Sequence, residues 1–459
     1  MNNNTSFSLS LQKRLENRTL NMDSELDKAF KVLGVKSMLH RCNIRKQKGH
    51  GTAPILYLFI LLPFLKKCMS CFWDTNFFIH HINAKKDVYY RFLNHERFNW
   101  RKFIYFLSLR IISICDNSPL RDKTLIVDDT VIPKTGKDIE LVSYHFDHKV
   151  KRCILGNRCI QLGYHNGINF FPVDIAFNTS KNRPNTSLRD IDKRTNGWHR
   201  RKEALKKRTD VVVEMLSRAW QYGIDASFVL FDSWFSHDAV IARILDTGYG
   251  VICRLKKGRV KYTYQGQKYT LKQLWHIVKK QTQWLGKFQV KAVCVNAKLP
   301  KSGDIRILFV SDGKKQWHAF LSTDLELESS QILNYYARRW AIEVFFKDAK
   351  QMLYLGKEQS NTFDALVACY SMVMLRYLFL LYVLNKYDLQ GPIGPLFRKI
   401  GDNHLQLCIA ARMWDHIKEL MITSSELICH QIEPDIIMYF LDIIEEAIRK
   451  QVLISSAKL

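Results

Sequence analysis

The stretch YARRWAIEVFFKDAK, residues 336–350, sets Tyr336, Arg339, Glu343, Lys347 and Lys350 at offsets of −7, −4, 0, +4 and +7 about one carboxylate. At about 100° per residue these side chains fall within roughly 80° of one another, so one helix face carries an acid among cations and a phenol. Ala341, Ile342, Val344, Phe345, Ala349 and Met352 take the opposite face, which predicts a single amphipathic helix. Its polar face has two readings. Glu343 with Arg339 and Lys347 makes ordinary i,i+4 ion pairs on a solvated surface, each contributing about 0.2–0.5 kcal/mol. Alternatively, the acid holds a metal while its neighbours grip phosphates. The rest of the chain decides between them.

Working outward, two earlier segments end apolar runs in acids. TLIVDDTVI (124–132) reads as a short strand ending at Asp128 and Asp129, and SFVLFDSWF (227–235) as a strand ending at Asp232. A helix from about His237 to Asp246, a turn at Gly248 and a strand into Arg254 follow, the order of a parallel α/β layer. Strand ends in such a sheet converge on one edge, and a helix beside that edge can bring in a third carboxylate. Clustered acids repel unless cations neutralise them, and hard divalent ions with oxygen ligands, Mg²⁺ above all, meet that need. A pair of such ions suits in-line displacement at phosphorus. Asp138, Asp147, Asp174 and Asp238 are read as structural, with Asp147 held open as a group supporting the site.

The remaining chain supports a nucleic-acid partner. Its 459 residues carry 70 Lys and Arg against 43 acids, a formal charge of +27 that calls for a polyanion, and a 47% hydrophobic composition that can bury a large core. A basic stretch, Lys181 to Arg208, holds eleven Lys or Arg and three acids and is expected to contact phosphates. CIQLGYHNGINFFPVDIAF (159–177) reads as a hairpin turning at Asn166 and Gly167, and residues 255–325 alternate polar and apolar runs as a β-rich insertion. Residues from about 24 to 115 read mainly as helices; RFLNHERFNWRKFIYFLSLRII (91–112) is either a DNA-binding element or a bundle packed on the core.

Two apolar runs resemble membrane spans. Ile55 to Leu65 is too short, and Ala365 to Leu384 carries Arg376 near its middle, which suits a buried helix. The Asn- and Ser-rich start lacks an apolar signal core, so a soluble intracellular chain with no membrane partner is expected. Eleven cysteines without a framework favour reduced thiols; Cys68 and Cys71, near His80 and His81, form the sole C-x-x-C and suit buried small residues better than zinc.

Tyr336, Arg339, Glu343 and Lys350 together match the spacing Tyr, two residues, Arg, three residues, Glu, six residues, Lys. With LIVDDT and FVLFDSWF, this resembles the bacterial insertion-sequence DDE transposases of the insertion-sequence-four family, from about Asp74 to about Tyr382. The resemblance implies an α/β fold: a ribonuclease-H-like core with a β-rich insertion, flanked by N- and C-terminal helical regions. The implied division is 1–118, helical and DNA-binding; 119–254, first part of the core; 255–325, insertion; 326–390, second part of the core; and 391–459, helical and dimerising. It implies a cytoplasmic, nucleoid-associated bacterial enzyme that uses Mg²⁺, with Mn²⁺ substituting. Such an enzyme cuts the terminal inverted repeats of its element and joins 3′-hydroxyls to target DNA as a synaptic homodimer.

By that resemblance Asp128, Asp232 and Glu343 are the catalytic metal ligands, with Asp129 the alternative first Asp, since strand alternation lets only one of the two face the metals. The family's Asp-x-Thr favours Asp128 with Thr130. Tyr336, Arg339, Lys350, Lys347 and Arg254 are the expected DNA contacts, and Trp317 is a candidate for stacking on a flipped base. Two other functions fit the same residues: a catalytically silent DNA-binding protein derived from a transposase, and a hydrolytic ribonuclease-H-like nuclease that joins nothing.

Overall fold

A computed structural model describes residues 13–14, 23–68, 82, 84–147, 151–313, 316–424 and 434–456. Cys71, His80 and His81 lie outside the described residues. The chain divides into two units. One comprises residues 1–40, 45–92 and 382–459; the other comprises 41–44 and 93–381.

In chain order the first helices are α1 (Glu25–Val32), α2 (Val35–Arg41), α3 (Thr52–Phe64), α4 (Lys86–Leu93) and α5 (Trp100–Cys115). Ser24 starts α1 with a reciprocal capping box to Asp27. Helix α3 is apolar all round and buried nearly throughout, as its composition requires.

The second unit is built on strands β1 (Thr124–Pro133), β2 (Ser143–Asp147), β3 (Arg152–His165), β4 (Phe170–Asn178), β5 (Phe228–Phe231) and β6 (Gly250–Arg254). Helices α6 (Asn196–Ala204) and α7 (Arg208–Gln221) precede β5, and α8 (Asp238–Leu245) joins β5 to β6. The insertion supplies β7 (Lys261–Tyr264), β8 (Gln267–Thr270), α9 (Leu271–Val278), β9 (Gln283–Leu285), β10 (Val290–Leu299), β11 (Gly303–Ser311) and β12 (Trp317–Ser322). After it come α10 (Ser329–Ala337), α11 (Trp340–Gln351) and α12 (Phe363–Lys386), then α13 (Ile393–Thr423) and α14 (Pro434–Ser456) of the first unit.

Among the described residues the strands form one twelve-stranded sheet in the order β2-β3-β1-β5-β6-β12-β11-β10-β7-β8, with β4 on β3 and β9 on β10. Pairs β1–β5 and β5–β6 are parallel, whereas β1–β3 and β3–β4 are antiparallel. The β3–β4 hairpin turns through Asn166, whose Oδ1 accepts from the amides of Ile168 and Asn169, and Gly167 takes the φ of +95° that the turn demands. The insertion continues the sheet from β6 through antiparallel β12. This large mixed sheet with flanking helices is a mixed α/β architecture consistent with the ribonuclease-H-like fold of DDE nucleases.

Strand β4 shows why the core sits where it does. It is buried along almost its whole length, with a layer on each face. On one face Asp174 accepts from Arg101 of α5 and Arg218 of α7, both at 3.0 Å, and Glu203 of α6 pairs with the same two arginines. On the other, Phe170 and Phe177 meet Phe345, Phe363, Tyr370 and Tyr377 of α11 and α12. Helix α12 is long and apolar enough to cross a membrane, yet 94% of its most apolar window is buried. Arg376 within it is satisfied by donating to Leu353 O at 2.9 Å.

Two local expectations are corrected. The acids do not end β1, which runs on to Pro133; what stops near them is its pairing with β5, at Ile126, while pairing with β3 continues. The stretch around Glu343 is not one helix. Arg338 and Arg339 form a turn between α10 and α11 whose amides bond to carbonyls three residues back, so Tyr336 belongs to the preceding helix. On α11, Ile342, Phe345, Phe346 and Ala349 are buried as an amphipathic helix requires, but Val344 is exposed.

Candidate functional site

The site lies where β1 and β5 part. Ile126 pairs with Leu230 in parallel register, and continuing by two residues sets Asp128 level with Asp232, just beyond the last paired position. Helix α11 packs across β1 and brings in Glu343. The three carboxylates are linked through Arg339. Its Nη1 donates to Asp128 Oδ2 at 2.9 Å, and its Nη2 donates to Glu343 Oε1. Its charge also stabilises the Asp232 carboxylate.

Burial pushes the Asp128 carboxyl up to about 7, and the like charges of Asp129 and Asp232 add to the rise; Arg339 and the Asp129 amide oppose it. Asp232 is raised for the same leading reason, with the Trp234 amide donating to its Oδ1 at 2.9 Å. Negative charge is thus under-compensated here, and every donor is a carboxylate oxygen, the donor set of a hard divalent cation. Among the described residues no three acids, imidazoles or thiols stand close enough to cage such an ion. Arg339 lies between Asp128 and Glu343 and holds them as a guanidinium would hold two anions.

Alternation along β1 separates the adjacent acids. Asp128 faces Arg339, whereas Asp129 accepts from Arg158 Nη1 at 3.0 and 3.1 Å and from Arg208 Nη1. Thr130, two residues on, accepts from Lys350 Nζ at 2.7 Å, which places Lys350 on the Asp128 side.

The expected DNA contacts are distributed as follows. Tyr336 packs on Phe320 at 4.7 Å between ring centroids, with the Arg339 guanidinium 5.8 Å from its ring; burial pushes its phenol up to about 12. Lys347 is exposed on α11. Arg254 leaves the end of β6 and pairs with His318 Nδ1 at 2.7 Å. Trp317 sits on β12, stacked on Trp275 at 5.5 Å and 19°, with Lys257 Nζ 4.0 Å from its ring centroid.

The basic stretch is not uniformly available to phosphates. Arg201 is buried, its Nε and Nη2 donating to Glu140 at 2.6 and 2.7 Å and its Nη1 and Nη2 to Asp364 at 3.0 and 2.8 Å; Arg200 is buried and donates to Ile175 O. Both stabilise the core. Their partners lie far along the chain, so the local charge count could not reveal them. The sequence reading also passed over Arg158, Arg208 and Trp234. A signal existed for Trp234, two residues after Asp232, but none for Arg158, whose role depends on the β1–β3 register.

No curated protein matches the chain. A family model described as DDE superfamily endonuclease matches residues 77–290, a span that includes Asp128 and Asp232 and ends before Glu343. That match supports a DDE transposase-type protein with nuclease-like activity on DNA.

Proposed function

We propose that this chain is an insertion-sequence transposase that cuts the ends of its element and joins the freed 3′-hydroxyls to target DNA, in the manner of the insertion-sequence-four group. The observation that carries the reading is the link of Asp128 and Glu343 through Arg339, at the place where register sets Asp128 level with Asp232. Asp128, Asp232 and Glu343 would hold divalent ions, Mg²⁺ or Mn²⁺, which supply activation of the attacking oxygen and stabilisation of the leaving one. For these carboxylates to close on an ion, Arg339 must turn away, and a phosphate beside the scissile bond offers its fork an equivalent bidentate partner. Lys350 is steered by Thr130 toward the same side, and Lys347 adds a point charge. Tyr336 holds the Arg339 guanidinium near its ring and limits where it can swing. Arg254 and Trp317 extend this DNA-facing set onto the insertion. A synaptic homodimer acting on paired terminal inverted repeats in the bacterial cytoplasm completes the proposal.

The test uses a plasmid carrying the DNA that flanks this reading frame, which supplies the candidate ends. Asp232→Asn and Glu343→Gln should each abolish strand cleavage in Mg²⁺ while leaving end binding largely intact; cleavage retained in both would refute the assignment. Given a pre-cut end with a free 3′-hydroxyl and a second plasmid, the protein should yield joined product. Nicks without joining would mark a hydrolytic nuclease instead, and binding without nicks in Mg²⁺ or Mn²⁺ a silent DNA-binding protein.

A further inference from the structure

One side chain beside Asp232 has no part in the proposed phosphoryl transfer. Trp234 stands two residues after that acid, its amide tied to Asp232 Oδ1, and its indole is 40% exposed. The Arg208 guanidinium lies over the ring, with Cζ 3.5 Å from the centroid. Arg208 is held in turn by Asp129, and Asp129 by Arg158. Arg158 Nε donates to His145 Nδ1 at 3.3 Å, and His145 Nε2 and Ser143 Oγ are 2.9 Å apart in the buried floor of β2. Phe235 braces the indole edge-on, with centroids 4.9 Å apart at 78°. A chain of charged and polar contacts thus fixes one large apolar ring at the acid site and leaves part of it in water. A loosely placed surface tryptophan requires no such scaffold.

Resting on the DNA reading of this site, we propose that Trp234 is a stacking platform for an unpaired nucleobase of the strand bound at Asp128 and Asp232. The base would lie on the part of the indole that Arg208 leaves uncovered. Every base has a π-face, so the platform is tolerant of sequence, and it acts only on a base already out of the duplex stack. The surrounding Arg208, Arg158, Arg339 and Lys350 favour a polyanionic strand over a peptide as the occupant. Trp234 is on these grounds a positioning residue, which fixes the strand against the carboxylates without touching the reacting atoms.

The probe is a short duplex with a single-stranded thymidine arm, compared with the same duplex bearing an abasic arm, titrated by fluorescence anisotropy against the full chain in EDTA. Trp234→Ala should weaken binding of the thymidine-armed DNA by about 5- to 100-fold, the range for losing one base–aromatic stack, and leave the abasic-armed DNA nearly unaffected. Trp234→Phe should recover most of the loss. A 2-aminopurine in the arm should be quenched by the native chain and not by Trp234→Ala. Equal weakening on both arms would overturn the proposal, and a folding defect is included in that outcome because it moves both arms together. Failure of the native chain to bind either DNA would overturn the DNA reading of the site along with it.

Discussion

Arg339→Ala separates the two roles that the geometry gives this guanidinium. In the metal-free protein it bonds Asp128 at 2.9 Å, with side chains 16% and 20% exposed, a charge-assisted contact contributing about 1.5–3 kcal/mol. The i,i+4 pair with Glu343, whose side chain is 36% exposed, is screened and adds no more than about 0.5 kcal/mol. The variant should therefore lose about 2–3 kcal/mol in EDTA, a fall of about 4–10 °C in the midpoint of the unit that contains the site. Saturating Mg²⁺ should restore most of this loss, and should stabilise the variant more than the native chain, in which the ion must first displace the guanidinium. Differential scanning calorimetry with and without Mg²⁺ reads both effects. An unchanged midpoint in EDTA, or a Mg²⁺ response in the native chain as large as in the variant, would refute the competition between guanidinium and cation.

Other outcomes follow from the same contacts. The Asp128 carboxyl is raised from 3.8 to about 7, so the folded chain keeps a proton that the unfolded chain releases across that window. Its contribution to metal-free stability is therefore lost as pH rises from about 4 to 7, and divalent-ion binding, which must displace the proton, should tighten by about tenfold per pH unit below 7 and level off above it. Manganese titrations followed by electron paramagnetic resonance from pH 5.5 to 8 check this, and a flat affinity would count against a buried Asp128. Arg201→Ala strands Glu140 and Asp364 in the core and should cost about 3–5 kcal/mol in urea unfolding of the second unit; a loss under about 1 kcal/mol would return Arg201 to the solvent-facing phosphate contacts.

Much of the catalytic core was legible because its signals are local. The apolar runs before Asp128 and Asp232, the Asn166–Gly167 turn and the Gly248 turn each state their conformation within a few residues. What was not legible depended on distant partners. Asp128 and Asp129 are equivalent by composition, and what sets them apart is Arg158, which reaches Asp129 only through the β1–β3 register. The break at Arg338 and Arg339 leaves no mark in the pattern because both residues keep right-handed helical dihedrals, and only the shift to bonds three residues back discloses it. Arg200 and Arg201 looked solvated because a charge run shows its own sign but not the acids that neutralise it from elsewhere. That helices from both ends of the chain share one unit is likewise invisible to periodicity, which reports a buried face without naming what buries it.

The account stands or falls on whether Asp128, Asp232 and Glu343 bind divalent ions together. Counting Mn²⁺ bound to the full chain by electron paramagnetic resonance, for the native protein and for Asp128→Asn, Asp232→Asn, Glu343→Gln and Asp129→Asn, tests this directly. The first three substitutions should each remove or greatly weaken the bound ions, while Asp129→Asn, whose carboxylate is engaged by Arg158 and Arg208, should retain them. Native-like Mn²⁺ binding in Asp128→Asn, Asp232→Asn and Glu343→Gln alike would contradict it.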